Sequence, residues 1–260
     1  MFDLKNKVAL VTGGGRGLGF AIAEEFARSG ADVVITGRTQ GVLDEAVSAL
    51  RAYGGDALAI VSDIAEPNEV GRTFDEIEKW RGRIDIAVNN AGIDDEAPIV
   101  EATEAGWERV LRVNLTAPFL VTQQAGRRMS QGGVVVNMAS IDAYGADGPF
   151  SSYISAKAGL IAFSRCAATE LAPRGIRVNS VSPGYAATDM VAAVVGEQMM
   201  TKMTTAFDRV PMRRMVTPAE VANAVTFLAS PAASGITGID LVVDGGTLAN
   251  LYILDTLEDD

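Results

Sequence analysis

Tyr153 and Lys157 stand four residues apart, a spacing that puts a phenol and an ammonium on one face of a helix. A free tyrosine titrates near ~10, too high for proton exchange at neutral pH, so a neighbouring cation is what such chemistry needs. Lys157 is placed to supply it. Ser140 follows the apolar run Val134 to Met138, which sets a hydroxyl at the carboxyl end of a strand, where open α/β sheets bind their ligands. The chain contains no histidine, which removes Ser-His-Asp triads, histidine metal sites and histidine bases together. Chemistry here falls to Tyr, Lys, Ser or carboxylates, and no metal site is expected.

A second group of residues speaks for a nucleotide. The run Thr12-Gly13-Gly14-Gly15-Arg16-Gly17-Leu18-Gly19 joins a strand to the helical pattern Phe20 to Ser29. Glycines there let the backbone turn and approach a pyrophosphate, whose charge the helix N-terminus favours. At the end of the second strand, where an acid commonly holds the ribose hydroxyls, the chain has Gly37 followed by Arg38. Asp32 lies at the other end of that strand. Arg38 and Arg16 together bring two guanidinium groups toward a 2′-phosphate and favour NADP(H), the alternative being two solvated surface arginines.

The elements that must position these residues are legible as a repeat. Lys7 to Thr12, Asp32 to Thr36, Ala57 to Val61, Ile84 to Val88, Val134 to Met138, Arg177 to Val181 and Ile239 to Val243 read as strands, with amphipathic stretches between them. Strands this apolar belong to a parallel sheet covered on both faces. The expected fold is α/β, a single Rossmann-type doubly wound domain over residues 1–260 with about seven strands. Residues 184–215 break the rhythm and carry Met190, Met199, Met200, Met203, Met212 and Met215, which suits a substrate lid, although methionines at helical spacing also serve as ordinary packing. Residues 248–260 form an uninterpreted C-terminal extension whose end, Asp255 to Asp260, reads as a solvated acidic tail.

Composition narrows the function further. With 22 basic and 33 acidic side chains the net charge is −11, which repels nucleic acid and anionic membranes. A mean hydropathy of +0.19 leaves material for a large core, but no apolar run spans a bilayer. The N-terminus lacks the pattern of a secretory signal, so a cytoplasmic location is expected. Cys166, the only cysteine, reads as a buried and inert thiol in a helix.

Taken together, the glycine loop, Asn89-Asn90-Ala91-Gly92, Asn114, Ser140 and the Tyr153/Lys157 pair resemble the short-chain dehydrogenase/reductase family, from Lys7 to Gly246. The resemblance implies hydride transfer between a nicotinamide and a carbonyl or secondary alcohol. It assigns Tyr153 to proton exchange with the substrate oxygen and Ser140 to a hydrogen bond with that oxygen. Lys157 falls to the nicotinamide ribose and to lowering the tyrosine pKa, and Asn114 to a water-filled proton relay. For the cofactor it implies Gly13, Gly17, Leu18 and Gly19 in the pyrophosphate loop beside Arg16 and Arg38, and Asp63 at the adenine, with Ile64 next to it among the cofactor residues. Asn89, Ala91 and Gly92 fall on the adenosine side, and Pro183, Gly184 and Thr188 at the carboxamide, with Tyr153 and Lys157 touching the cofactor as well. Asp63 otherwise reads as a helix N-cap, and Asn89 to Gly92 as a turn.

Substrate choice is less legible. Asp94, Asp95 and Glu96, then Asp142 and Tyr144, are expected around the pocket, or else solvated. Reductases of 3-oxoacyl thioesters share the Val243 to Gly246 ending, and Arg127, Arg128 and Arg174 could receive an acyl carrier protein, although the chain's acidity opposes that partner. Sugar, polyol or secondary-alcohol dehydrogenases compete with that reading, as does a noncatalytic NADP(H)-binding sensor. Family analogy implies a homotetramer packed through Thr103 to Ser130 and Ser152 to Leu171, where the small residues Ala156, Ala158, Gly159 and Ala162 permit close approach.

Overall fold

The computed structural model describes residues 2–129, 132–188, 191 and 196–250. Seven strands, β1 (Val8–Thr12), β2 (Asp32–Gly37), β3 (Ala57–Val61), β4 (Ile86–Asn89), β5 (Gly133–Met138), β6 (Ile176–Pro183) and β7 (Asp240–Val243), form one sheet in the order β3-β2-β1-β4-β5-β6-β7. Every pairing is parallel. The order reverses between β1 and β4, which opens a crevice at their carboxyl ends. All seven expected strands are present, within a few residues of the boundaries read from the sequence.

Period-two alternation divides each strand between two cores. Ala9, Val11, Val33, Ile35, Val134 and Val136 face one side, against α1 (Gly17–Arg28), α2 (Gln40–Arg51) and the last long helix, Pro218–Ala229. Val8, Leu10, Val34 and Val135 face the other, against α3 (Pro67–Arg81), α5 (Ala117–Arg128) and α6 (Ser151–Leu171). A short α4 (Glu104–Leu111) precedes α5, joined to it by one π-helical turn, Arg112–Thr116. Among the described residues no helix is long and apolar enough to cross a membrane.

Local chemistry sets the helix ends that matter. α1 begins inside the glycine loop itself, earlier than the Phe20 start expected, with Arg16 extended at its N-cap, no side chain capping it and no acid in its first turn. Among the described residues no side chain caps its first N–H groups. The helix Pro218–Ala229 shows the opposite arrangement, with a full capping box of Thr217 and Glu220 and proline at its start.

The methionine-rich stretch contains α7 (Glu197–Thr205), which leaves Pro218–Ala229 as α8. Met203 and Met215 are buried packing, joined by a hydrogen bond from the Met215 N–H to the Met203 carbonyl (2.9 Å). Met199 and Met212 are exposed, and Met190 lies outside the described residues. Most of the C-terminal extension, including the acidic tail, also lies outside them. Cys166 corrects an expectation, because it is exposed and donates to Glu170. The buried stripe of α6 runs through Ala156, Lys157, Leu160, Ile161, Ser164, Ala167 and Ala168, and Cys166 falls outside that stripe.

Candidate active site

The glycine loop is fixed by the strand on the other side of the crevice. Thr12 Oγ1 donates to the Val88 carbonyl (3.2 Å) and accepts from the N–H groups of Asn90 (3.0 Å) and Ala91 (3.1 Å). Asn90 Nδ2 returns the tie, donating to the carbonyls of Thr12 (2.9 Å) and Gly13 (3.4 Å). Sequence reading gave neither Thr12 nor Asn90 this part, although both stand inside the motifs that drew attention.

The loop fits a dinucleotide pyrophosphate. Gly13 and Gly17 hold positive φ, and a Cβ on Gly19 would overlap the Gly13 carbonyl oxygen. At Gly17 a Cβ would meet nothing within 4 Å, so the space in front of the helix N-terminus is open. Leu18 packs partly buried against the core behind the loop. Arg16 and Arg38 are both exposed, and neither forms an ion pair among the described residues. Asp32, by contrast, is paired with Arg81 (2.8 Å) at the far end of β2.

Other nucleotide-side residues divide. Asp63 accepts from the Ala65 N–H (3.0 Å) and so caps a turn, while the N-cap of α3 is Glu66. Ile64 beside it is 7% exposed. The Asn89 side chain is turned away from the crevice into the core, where its amide donates to Asn137 Oδ1 (2.7 Å), Thr122 Oγ1 (3.3 Å) and the Pro118 carbonyl (3.3 Å). A cofactor contact from Asn89 thus falls to its main chain. Pro183 ends β6, Gly184 packs against Asp244, and Thr188 Oγ1 accepts from the Val191 N–H (3.4 Å).

The four expected catalytic side chains converge at the carboxyl ends of β4 and β5. Asn114 is fully buried in the π turn and clamps Ile93, accepting from its N–H (2.9 Å) and donating to its carbonyl (2.6 Å). Asn114 Oδ1 and Lys157 Nζ both approach Gly92, at 3.1 and 3.6 Å from where a Cβ would stand. Lys157 is 4% exposed, and its ammonium donates to the Met138 carbonyl (2.7 Å) at the end of β5. Ser140 begins the next turn, where its hydroxyl oxygen accepts from the Asp142 N–H (3.2 Å), and the hydroxyl favours the ionised Tyr153 phenol.

The electrostatics correct one expectation. Burial pushes the Tyr153 phenol up to about 12; the Ser140 hydrogen bond works against this, and Asp142, Asp94 and Asp147 add to it. Burial also draws Lys157 down to about 8, with Asp142 opposing. The ammonium lies 5.3 Å from the Tyr153 ring centre but spends a hydrogen bond on Met138. In the protein alone, desolvation and three carboxylates therefore outweigh the lysine.

Of the expected pocket residues, Asp94 acts on Tyr153 while Asp95 turns to Arg109 (3.6 Å). Tyr144 is drawn to Asp240 (2.8 Å), whereas Asp142 faces the site. Arg128 is occupied by Asp75 and Glu78, and Arg174 leans on the Met129 carbonyl (3.5 Å). Among the described residues no cluster of metal-ligating side chains occurs.

A parallel switch-point sheet, a glycine cradle and a Ser/Tyr/Lys/Asn cluster define a nicotinamide-dependent oxidoreductase acting on CH–OH or C=O groups, and comparisons with known proteins agree. A family model described as enoyl-(acyl carrier protein) reductase matches residues 13–247. The 3-oxoacyl-[acyl-carrier-protein] reductase FabG of Aquifex aeolicus is 42% identical, over 94% of this chain and 98% of that protein. Cis-4-hydroxycyclohexanecarboxylate dehydrogenase of Sinomonas cyclohexanicum is 40% identical, over 94% and 97%. A solved short-chain type dehydrogenase/reductase from Mycobacterium marinum superposes with a TM-score of 0.89 at 34% identity, covering 96% of this chain and 98% of that one. The chain belongs to the short-chain dehydrogenase/reductase family.

Proposed function

We propose that this protein transfers a hydride between NADP(H) and a ketone or secondary alcohol, with Tyr153 as the acid/base. The observation that carries the reading is the convergence on the Tyr153 phenol of the Ser140 hydroxyl, which favours its ionised form, and the buried Lys157 ammonium, 5.3 Å from its ring centre. A substrate oxygen brought to these two hydroxyls accepts from both. Tyr153 gives up its proton to that oxygen in reduction and recovers one in oxidation, while Ser140 stabilises the alkoxide-like charge. Lys157, anchored on Met138, holds the ribose side of the cofactor, and Asn114 keeps Ile93 and Gly92 in place beside it. When bound, the nicotinamide supplies or accepts the hydride.

NADP(H) rests on Gly37, Arg16 and Arg38. No acid stands at the end of β2 to hold the ribose hydroxyls, and two solvent-facing guanidinium groups flank the loop. Within the lid expected over 184–215, Tyr185 and Arg209 line the cavity beyond Ser140, while Met203 and Met215 belong to packing. A homotetramer finds support in the outward faces of α5 and α6, where Phe119 stacks edge-on to Phe163 (5.9 Å) beside exposed Ala158 and Ala162. A second reading, 3-oxoacyl thioester reduction, is favoured by the 42% identity to FabG.

The test follows NADPH consumption, with NADH as control, across simple ketones, keto sugars and 3-oxoacyl thioesters, in the wild type and in Tyr153→Phe. Selective turnover with NADPH that falls by about 10²- to 10⁴-fold in the variant, with NADPH binding retained, supports the reading. Equal rates in the two proteins refute it.

A further inference from the structure

Next to Ser140 opens a cavity of about 190 Å³, lined by Asp142, Asp147, Tyr185, Arg209, Thr247 and Leu248 among others. Its walls are partly solvated but tied together. The Tyr185 hydroxyl donates to Asp147 (2.7 Å), the Tyr185 ring stands edge-on to Phe207 (5.0 Å), and the Arg209 guanidinium lies 5.4 Å from the Tyr185 ring centre. Asp244 turns residues 246–248 toward this cavity, accepting from the N–H groups of Gly246 (2.8 Å) and Leu248 (2.7 Å).

Asp142 is the carboxylate nearest the chemistry. Its N–H donates to Ser140 Oγ (3.2 Å), and the Ser140 hydroxyl favours the ionised form of its carboxylate. Ser140 has one proton to give. When it turns to a substrate oxygen, the half-buried Asp142 carboxylate loses that donor while Asp147 remains nearby. An ionised carboxylate in a confined site is costly unless a new donor replaces the old one. Burial and Asp147 already raise its pKa, as expected where donors are scarce.

Resting on the roles given above to Ser140 and Tyr153, we propose that Asp142 accepts a hydrogen bond from a hydroxyl on the carbon next to the reacting one. The substrate is then a small vicinal diol or α-hydroxyketone. Such a molecule presents two oxygens, one to Tyr153 and Ser140 and the other to Asp142. An acyl chain in the same place lays methylenes on carboxylates, and a carboxylate-bearing substrate meets three carboxylates, Asp142, Asp147 and Asp94, with the two cations Arg209 and Lys157 to offset them.

The test compares kcat/KM with NADP⁺ for four matched alcohols: 2,3-butanediol, 2-butanol, 3-amino-2-butanol and 3-hydroxybutanoate. In the wild type the diol exceeds 2-butanol by about ten- to a hundred-fold, the worth of a charged hydrogen bond. Asp142→Ala brings that ratio close to one, and Asp142→Asn, which keeps an acceptor oxygen in a residue of the same shape, retains part of it. Because each ratio is read within one protein, a role for Asp142 solely in positioning Ser140 lowers both alcohols alike and leaves the ratio intact, which overturns the proposal. A preference for the amino alcohol that Asp142→Asn abolishes assigns the site to an ammonium and overturns it too, as does preference for 3-hydroxybutanoate. Turnover of 2-butanol that depends on Tyr153 but shows no diol preference overturns this inference while the oxidoreductase reading stands; failure on all four alcohols overturns it as well, and the ketone panel then judges that reading.

Discussion

Lys157→Met separates the cost of the buried ammonium from its use. Burial draws this lysine from 10.5 to about 8 at 4% exposure. Between those values the unfolded chain binds the proton that the folded chain releases, so stability rises with pH across the window. The penalty is complete below the folded pKa and gone above the unfolded one. For such a pair of pKa values the change from pH 7 to pH 10 is about 2–3 kcal/mol. Tyr153 and Tyr144, both pushed up to about 12, act in the opposite sense, but only above their ordinary 10.0. The assay is urea denaturation of both proteins without nucleotide at pH 7, 8, 9 and 10. Methionine also strips the Met138 carbonyl of its donor, a loss of ~1–3 kcal/mol. That loss makes the difference between the two pH profiles, where groups common to both proteins cancel, the quantity to read. Wild type should gain about 2–3 kcal/mol on the variant from pH 7 to pH 10. Parallel profiles refute the claim that this charge is held at a cost.

Two further substitutions probe the nucleotide side. Arg16→Ala and Arg38→Ala should each raise KM for NADPH by about ten- to a hundred-fold, the loss of a charged hydrogen bond, with KM for NADH little changed; equal effects on both cofactors count against NADP(H). Gly19→Ala forces a Cβ onto the Gly13 carbonyl, so it should cost ~1–3 kcal/mol in urea denaturation and abolish NADPH binding seen by fluorescence.

The sheet was legible because its strands are buried on both sides, so runs such as Val134 to Met138 are apolar at nearly every position. The glycine loop and the Tyr153/Lys157 spacing were legible because each encodes a local geometry. What escaped depends on groups far apart in the chain. The Asn89 side chain reads as a cofactor contact until β5 brings Asn137 within 2.7 Å of it. Cys166 looked buried because α6 is apolar along much of its length, and only the docked helix shows which face is covered. The balance at Tyr153 likewise depends on Asp94, Asp142 and Asp147 arriving from two separate loops.

The tie between Thr12 and Asn90 divides the nucleotide site into a fixed half and a rewritable half. Carbonyls of the loop are bolted to the strand across the crevice, at the seam between β1 and β4, whereas residue 38 hangs from β2 on the other side. Side chains at 16 and 38 can therefore be exchanged without disturbing the backbone that receives the pyrophosphate. In an engineering sense the glycine loop is chassis and the two exposed arginines are interchangeable fittings, so under the NADP(H) function proposed above retargeting the cofactor is a matter of two surface positions.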